Sequence, residues 1–301
     1  MKAKLMKHER VGTIITHLFF CLFSLCFIVP FLYVISVSVS NEELMNTYGY
    51  KLIPMQFDLT GYKYVFSNMG QILDSYGVTA FTSIVGTILG VIVMSMAAYP
   101  IAMRDFKYRR PITFFIFFTM IFGGGLIPSY ILITQYLGMK DTIWVYIIPT
   151  LANAWNIMVL KTFFQGLPIS CIESARLDGA SEMRIFFSIV LPLSKPVLAS
   201  VGLLTLLTRW NDWYTTLIYI DDKKLYSLQF LLQKILMDAE FVNNIAKNAP
   251  GGMIDIGKMV KVPTESVRFA MCIIAAGPML VVFPFFQRYF TRGLTIGSIK
   301  G

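Results

Sequence analysis

The sequence predicts an all-α integral membrane protein with six transmembrane helices. The chain has 301 residues, of which 56% are hydrophobic and only 14% are charged. Soluble domains have about 45–50% apolar and about 25% charged residues. The apolar residues are gathered in runs of about 20 residues, the length that a helix needs to cross a bilayer. The net charge of +9 comes from Lys and Arg clustered at the ends of these runs, which favours membrane orientation over nucleic-acid binding.

The first apolar run, about residues 11–40, follows a basic segment containing Lys2, Lys4, Lys7 and Arg10. A basic start before an apolar run is also typical of a signal peptide. However, this run is much longer than the roughly 7–15 apolar residues of a signal peptide, and no small-residue cleavage site follows it. We therefore expect a transmembrane helix here.

Five further spans are predicted, at about residues 78–103, 112–136, 143–164, 197–220 and 266–286. Gly123-Gly124-Gly125 and Pro128 interrupt the third span, and such a break at membrane depth persists only where it faces protein or a water-lined cavity. The long polar segment 221–264 is expected to form a loop with a helix near residues 227–237. Residues 287–301 are expected to form a tail.

The basic residues predict the orientation of the six spans. The N-terminal segment, the loop 104–110, the region 161–195 and the tail carry fifteen Lys or Arg, against nine on the opposite side. Six of those nine lie in the long 221–264 loop, where the rule is weak. We therefore expect both termini and the region 161–195 in the cytoplasm, and the 221–264 loop outside it.

The polar segment with the clearest helix start and stop signals is residues 168–191, which we call the elbow. Ser170 and Glu173 have the spacing of a capping box, in which each side chain bonds the other residue's backbone N–H. Gly179 can end this first short helix because glycine tolerates the left-handed conformation. Ser181 can then cap a second helix. The elbow is thus predicted to be a helical hairpin between two spans, which suits docking better than catalysis.

The elbow also carries a specific pattern, Glu173-Ser-Ala-x-x-Asp178-Gly179-Ala180 followed by Phe187-x-x-x-Leu191-Pro192-x-x-x-Pro196. It resembles the EAA loop of binding-protein-dependent ABC importer permeases, with Ser174 in place of the usual first Ala. The resemblance covers about residues 10–301. It implies the maltose-permease-like (type I) importer fold, in which the elbow sits in a cleft on an ATPase subunit.

The resemblance implies roles for individual residues. Those that contact or shape the ATPase interface are Glu173, Ala175, Asp178, Gly179 and Ala180. The tail, also similar to the maltose-type permease tail, reaches between the two ATPase subunits with Arg292, Gly293, Gly297 and Gly301. The alternatives are a surface hairpin for the elbow, with Glu173 and Asp178 merely capping, and a frayed solvated tail.

A second distinctive stretch is Arg209-Trp-Asn-Asp-Trp-Tyr214, inside the fifth span. Charges within a span are costly and should face a cavity or a partner. Arg209 and Asp212 are three residues apart and can pair with each other. The alternative for the aromatic residues is an interfacial belt. We predict that this region lines a path for a sugar, in which Trp rings stack on the C–H faces of the sugar and polar side chains bond to its hydroxyls. The predicted residues are Asn153, Asn156, Arg209, Trp210, Asn211, Asp212 and Trp213.

The function implied is that of a multi-pass permease subunit in a bacterial cytoplasmic membrane, part of an ATP-driven ABC importer for oligosaccharides. The expected partners are a second homologous permease, two ABC ATPase subunits and an extracytoplasmic solute-binding protein. We expect no metal site, because the four cysteines lack metal-binding spacing and the chain has only two histidines. We also expect no cofactor on this chain, because it lacks a Walker A loop and the resemblance implies that ATP and Mg are bound by a partner ATPase. The alternatives are a permease of the same fold for a non-sugar solute such as a peptide, and a membrane enzyme or receptor without an ATPase.

Overall fold

The structure is a computed structural model that describes residues 2–248 and 264–297. It is predominantly helical, and within these ranges β-structure is limited to one isolated antiparallel bridge between Ser40 and Phe57. The α-helices, in chain order, are α1 Lys2–Ser38, α2 Glu42–Tyr48, α3 Thr60–Val65, α4 Met69–Ala102, α5 Arg109–Ile121, α6 Leu126–Ile131, α7 Ala154–Gln165, α8 Ile169–Leu177, α9 Glu182–Ile185, α10 Leu191–Leu193, α11 Lys195–Trp210, α12 Tyr214–Tyr219, α13 Leu228–Asn248 and α14 Thr264–Gly297.

Three helices are long and apolar enough to cross a membrane by themselves. They contain the candidate spans Gly12–Ser38, Met69–Ala102 and Thr264–Gln287. These coincide with the first, second and sixth predicted spans. Two pairs of helices joined at sharp bends bring the number of candidate spans in the described residues to as many as five. The count of six spans and the orientation of the termini therefore stay predictions.

The break predicted in the third span is confirmed. Helix α5 ends at Ile121, and α6 begins at Leu126 at an angle of 112° to it. Gly125 lies between them with φ of +84°, in the left-handed region that favours glycine. From Leu132 to Tyr136 the helix continues with π-helical hydrogen bonding. The glycine run therefore separates two helical segments.

The fourth and fifth predicted spans are also interrupted in the structure. A single 3₁₀ turn covers Ile143–Tyr146, and regular helix resumes only with α7. Pro149 lies in the gap, where it has no N–H to donate to a helix. In the fifth span, α11 ends at Trp210 and α12 starts at Tyr214. Both interruptions leave backbone groups that need partners other than the helix ladder.

The 221–264 segment contains the predicted helix, which is longer than expected. Helix α13 starts at Leu228, one residue after the predicted beginning, and runs to Asn248. Residues 249–263 of this segment lie outside the described residues.

The chain divides into two compact units, and the first consists of Met1–Met69 and Leu232–Gly277. In this unit the carboxylate of Glu42 accepts hydrogen bonds from the backbone N–H of Ser266 (3.2 Å) and from its hydroxyl (3.1 Å). Arg268 pairs with Glu240 at 2.7 Å. These contacts join the start of α14 to α2, which lies more than 200 positions away in sequence, and to α13.

The second unit consists of Gly70–Leu231 and Pro278–Gly301. Its core joins α4, α7, the elbow and α11. The buried core residues are Met94, Ala98, Tyr99, Ile101, Ala102, Ile157, Leu160, Phe164, Ile172, Ile185, Phe186, Val190, Val197 and Val201. Because the elbow contributes four of these residues, it belongs to the packed core and is not an appended loop.

We predict that Gly61→Ala destabilises the first unit. A Cβ at this position would lie 2.8 Å from the carbonyl carbon of Ser266, which is backbone and cannot rotate away. Overpacking of this kind costs about 1–3 kcal/mol, so the thermal unfolding midpoint in detergent should fall. Gly70→Ala is the control, since no atom would lie within 4 Å of its Cβ. Equal midpoints for the two variants would show that the contact is not tightly packed.

Candidate functional site

The elbow is a helical hairpin that turns at Gly179. Helix α8 ends at Leu177, and Gly179 follows with φ of +76°. The N–H of Ala180 bonds to the carbonyl of Ala175 at 3.0 Å, which closes the turn. Ser181 caps the second helix by accepting a hydrogen bond from the N–H of Arg184 at 3.4 Å. The glycine stop and the Ser181 cap are confirmed.

The predicted capping box at Ser170 and Glu173 is wrong. Helix α8 begins at Ile169, so the residue at its N-cap is Pro168, which makes no side-chain cap bond. Pro168 has φ of −60° and ψ of 109°. This geometry starts the helix one residue before Ser170, which places the serine within the first turn. Proline fixes φ near this value and so allows the chain to enter a helix immediately.

The elbow is anchored to α4 through an aromatic and a charged contact. The ring of Tyr99 lies 5.4 Å from the ring of Phe186. The hydroxyl of Tyr99 donates to the carboxylate of Glu182 at 2.7 Å. Ile172 and Ile185 are buried in the same core. Movement of the hairpin is therefore coupled by direct contact to the C-terminal part of α4.

A charge network stabilises the two arms of the hairpin. The Nε of Arg176 donates to Glu182 at 2.8 Å, and its terminal nitrogen lies 3.6 Å from the carboxylate of Asp105. Burial raises the pKa of Glu182, but the hydrogen bonds from Arg176 and Tyr99 and the charge of Arg176 outweigh it and lower the pKa. Glu182 is thus held as a carboxylate that fixes the angle between α8 and α9.

Of the five residues predicted to form the ATPase interface, three are exposed and two pack against the core. Glu173, Asp178 and Gly179 are exposed, while Ala175 and Ala180 are half-buried. Leu177 was not among the predicted residues, yet 90% of its surface is exposed. Leu177 adds an apolar side chain to the exposed surface that Glu173, Asp178 and Gly179 form. Its position next to Asp178-Gly179 is the sequence signal that could have identified it.

A cavity of about 530 Å³ lies in the second unit, next to the interruptions of the fourth and fifth predicted spans. It brings together six of the seven residues predicted to line a sugar path, namely Asn153, Asn156, Arg209, Asn211, Asp212 and Trp213. Irregular backbone at membrane depth is tolerated where it lines a water-filled cavity. The cavity therefore explains why both the fourth and the fifth predicted spans are interrupted here.

Arg209 holds the interrupted fourth span in place. Its side chain is buried, and its guanidinium donates to the carbonyls of Tyr146 at 2.8 Å and Thr150 at 3.0 Å. These are carbonyls that the break leaves without helical partners. A guanidinium carries five N–H donors and no acceptor, which suits it to binding several carbonyls at once. The flat group fits because Gly86 on α4 has no side chain, since a Cβ there would lie 2.7 Å from the guanidinium carbon.

The predicted pair between Arg209 and Asp212 is not formed as a salt bridge in the described structure. The carboxylate of Asp212 accepts instead from the N–H of Thr215 at 3.0 Å, across the break between α11 and α12. The prediction failed because helical spacing alone cannot show that backbone carbonyls occupy the guanidinium.

The two tryptophans of the stretch have different environments. Trp210 is buried, and its ring lies 6.3 Å from the ring of Tyr76. Trp213 is 39% exposed and lines the cavity. The helix ends at Trp210, so the two tryptophans lie on either side of the break.

Sequence reasoning missed the hydroxyl groups of the cavity wall. Thr150, Thr205, Thr208 and Thr215 line it. The amide nitrogen of Asn156 donates to the hydroxyl of Thr205 at 3.4 Å, which joins α7 to α11. The spacing of Thr205, Thr208 and Asp212 is helical and could have indicated a common polar face.

Helix α4 connects the cavity to the elbow. Met94 lines the cavity, Gly86 and Gly90 lie next to Arg209 in its wall, and Tyr99 contacts the elbow. Nine residues separate Gly90 from Tyr99, which corresponds to roughly 14 Å along a helix. A displacement at one site can therefore reach the other through one continuous element.

The residues predicted for the tail contacts lie at and after the end of helix α14. The backbone is helical at Arg292, Gly293 and Gly297, because α14 continues to Gly297. Gly301 and the side chain of Arg292 lie outside the described residues.

The sequence matches the family described as binding-protein-dependent transport system inner membrane component over residues 77–296. It is 36% identical to the polygalacturonan/rhamnogalacturonan transport system permease protein YtcP of Bacillus subtilis (strain 168), over 97% of this chain and 99% of that protein. It is 38% identical to Protein LplC of the same organism, over 91% of this chain and 90% of that protein.

The fold is similar to one chain in the crystal structure of a bacterial ABC transporter involved in the import of the acidic polysaccharide alginate. The TM-score is 0.75 with 28% sequence identity, over 94% of this chain and 97% of that one.

We predict that Gly86→Ala disturbs the Arg209 contacts. A Cβ there would lie 2.7 Å from the central guanidinium carbon, so the side chain would have to leave its carbonyl acceptors. Hydrogen bonds to a charged group contribute about 1.5–3 kcal/mol each, and the unfolding midpoint should fall accordingly.

Gly77→Ala is the matched control for Gly86→Ala, because it lies on the same helix and its Cβ would have no neighbour within 4 Å. Alanine has the higher helix propensity, so this control should be neutral or slightly stabilising. If the two variants unfold at the same temperature, the guanidinium is not held against Gly86.

Proposed function

Because this chain belongs to the family of binding-protein-dependent transport system inner membrane components, we propose that it is a permease subunit of an ATP-driven importer for oligosaccharides. The cavity between the two interrupted spans is the observation that carries this proposal. It would form part of the path, and the elbow would be the contact with the ATPase.

The chemistry of the cavity suits a sugar. Asn153, Asn156 and Asn211 offer amides to hydroxyl groups, and Trp213 offers a ring to the C–H face of a pyranose. The Arg209 guanidinium is already engaged with backbone carbonyls. A relative named for polygalacturonan and rhamnogalacturonan transport, and a structural neighbour that takes part in alginate import, support the carbohydrate class.

Coupling would follow from the contacts of the elbow. An ATPase that grips the exposed side of α8 would move Glu182 and Phe186 with it, because these residues sit in the same hairpin. Tyr99 would pass that movement to α4, and α4 borders the cavity. ATP can drive such a change only if it binds the two states of the complex with different affinity.

The complete importer would contain a second homologous permease, two ABC ATPase subunits that bind ATP and Mg, and an extracytoplasmic solute-binding protein. This chain would lie in a bacterial cytoplasmic membrane with six spans and both termini inside. The elbow would then face the cytoplasm, and the 221–264 loop would face the binding protein. The tail, including Arg292 and Gly301, would contact the ATPases.

We predict that Gly179→Arg abolishes the ATP hydrolysis that the solute-binding protein stimulates in the assembled complex. Gly179 is exposed at the tip of the turn, so an arginine would project into the ATPase cleft. The left-handed backbone adds a strain of roughly 1–2 kcal/mol for any side chain. Full stimulated activity in this variant would refute the coupling role of the elbow.

Gly179→Ala separates the two effects, since it brings the same strain without the bulk. It should lose less activity than Gly179→Arg. Equal losses would show that the turn itself, and not contact with the ATPase, explains the defect.

We predict that Trp213→Ala weakens uptake of the transported oligosaccharide by reconstituted complex. Aromatic contacts contribute about 0.5–1.5 kcal/mol, so the half-saturating concentration should rise by up to roughly tenfold. Trp155→Ala is the control, because Trp155 is exposed and lies outside the residues that line the cavity. Equal effects of the two substitutions would exclude Trp213 as a specific sugar contact.

A further inference from the structure

The loop of residues 48–57, which starts at the last residue of helix α2, carries a large exposed apolar surface. Its exposed large side chains are Tyr48, Tyr50, Leu52, Ile53, Met55 and Phe57. Ile53 and Phe57 have 78% and 76% of their surface exposed. Lys51 is the one charged residue in this stretch of sequence. Exposed apolar surface of this extent indicates an interaction site.

The base of the loop is closed by hydrogen bonds, so the loop is a defined structure. The N–H of Asn41 bonds to the carbonyl of Gln56 at 3.1 Å, and the N–H of Asp58 bonds to the carbonyl of Val39 at 2.9 Å. The side chains of Asn41 and Asp58 also bond to each other at 3.2 Å. The apolar side chains are therefore presented outward by a closed scaffold.

The loop folds back along α1. The hydroxyl of Ser36 donates to the carbonyl of Lys51 at 2.9 Å, and the ring of Tyr50 lies 6.5 Å from the ring of Tyr33. Tyr33 is five residues before the end of α1 at Ser38, which corresponds to roughly 7–8 Å along the helix. The loop thus lies beside the last turns of the candidate span Gly12–Ser38.

The contact of Tyr50 with helix α14 places the loop at the same depth below the end of a span. The ring of Tyr50 lies 6.2 Å from the ring of Phe269. Phe269 is five residues inside α14, whose candidate span starts at Thr264. Tyr50 therefore contacts two helices, and in each helix the contact lies five residues inward from the end of the apolar span.

We propose that the loop 48–57 is an interfacial anchor that inserts its apolar side chains into the boundary between headgroups and acyl chains. Segments that lie in this boundary are buried about 5–10 Å deep, which agrees with the position of Tyr50. Tyrosine is enriched at this level, and lysine can extend its charge to the headgroups. The Lys51 ammonium lies 6.0 Å from the centre of the Tyr48 ring.

Continuity with α1 favours lipid over a protein partner. The apolar window of the span Gly12–Ser38 has none of its residues buried, and the loop extends this uncovered surface sideways at its end. The anchor would fix the end of α1 at one depth in the bilayer. This proposal rests on the chain spanning a membrane and is independent of the solute transported.

The test uses nitroxide labels at Ile53→Cys and Phe57→Cys. The full-length chain, with its four native cysteines replaced by serine, is co-expressed with its partner subunits and reconstituted in phosphatidylethanolamine–phosphatidylglycerol vesicles. Collision rates of each label are measured with oxygen, which concentrates among acyl chains, and with a nickel chelate, which stays in water. We expect oxygen collisions to exceed nickel collisions several-fold at both positions.

Two control positions calibrate the measurement. Phe23→Cys, on the exposed middle of α1, should show the lipid pattern and confirms that the chain is inserted. Asn46→Cys, an exposed polar position on α2, should show the aqueous pattern. A nickel-dominated result at both loop positions would overturn the proposal by placing the loop in water. Low rates with both reagents would overturn it by showing that a protein partner covers the loop. Since the labels report without any transport, a failure to import oligosaccharides would leave this result unaffected.

Discussion

The second unit depends on one buried cation that replaces missing helical hydrogen bonds. The break after Tyr146 leaves carbonyl groups that have no partner in the helix ladder, and the guanidinium of Arg209 binds them. An unpaired buried carbonyl and an unpaired buried charge are each costly in an apolar medium. The terminal nitrogens of the guanidinium satisfy these carbonyls, and the absence of a side chain at Gly86 leaves room for the group.

This contact also explains why the cavity is polar. The interruptions of the fourth and fifth predicted spans both border the cavity, so residues of irregular backbone such as Asn153 and Asp212 line it together with residues of α7 and α11. Asn153 caps the start of α7 by accepting from the N–H of Asn156 at 3.0 Å. The residues that end and start helices are therefore the same residues that give the cavity its hydrogen-bonding groups.

The elbow and the cavity can be related because α4 takes part in both. At its C-terminal part, Tyr99 packs on the elbow and bonds to Glu182. At its middle, Gly86 and Gly90 form the surface on which Arg209 lies. A single helix packed on both sides gives a short mechanical route between the elbow and the cavity.

The sequence by itself determined the helical membrane class, the break at Gly123–Gly125, the stop at Gly179 and the cap at Ser181. Each follows from the properties of a few neighbouring residues, because apolar run length and backbone freedom are local quantities. Only the tertiary structure decided that Arg209 binds carbonyls rather than Asp212, that Trp210 is buried while Trp213 lines the cavity, and that Tyr99 meets Glu182. These contacts join residues far apart in the chain, and their partners are selected by packing, which no local pattern records.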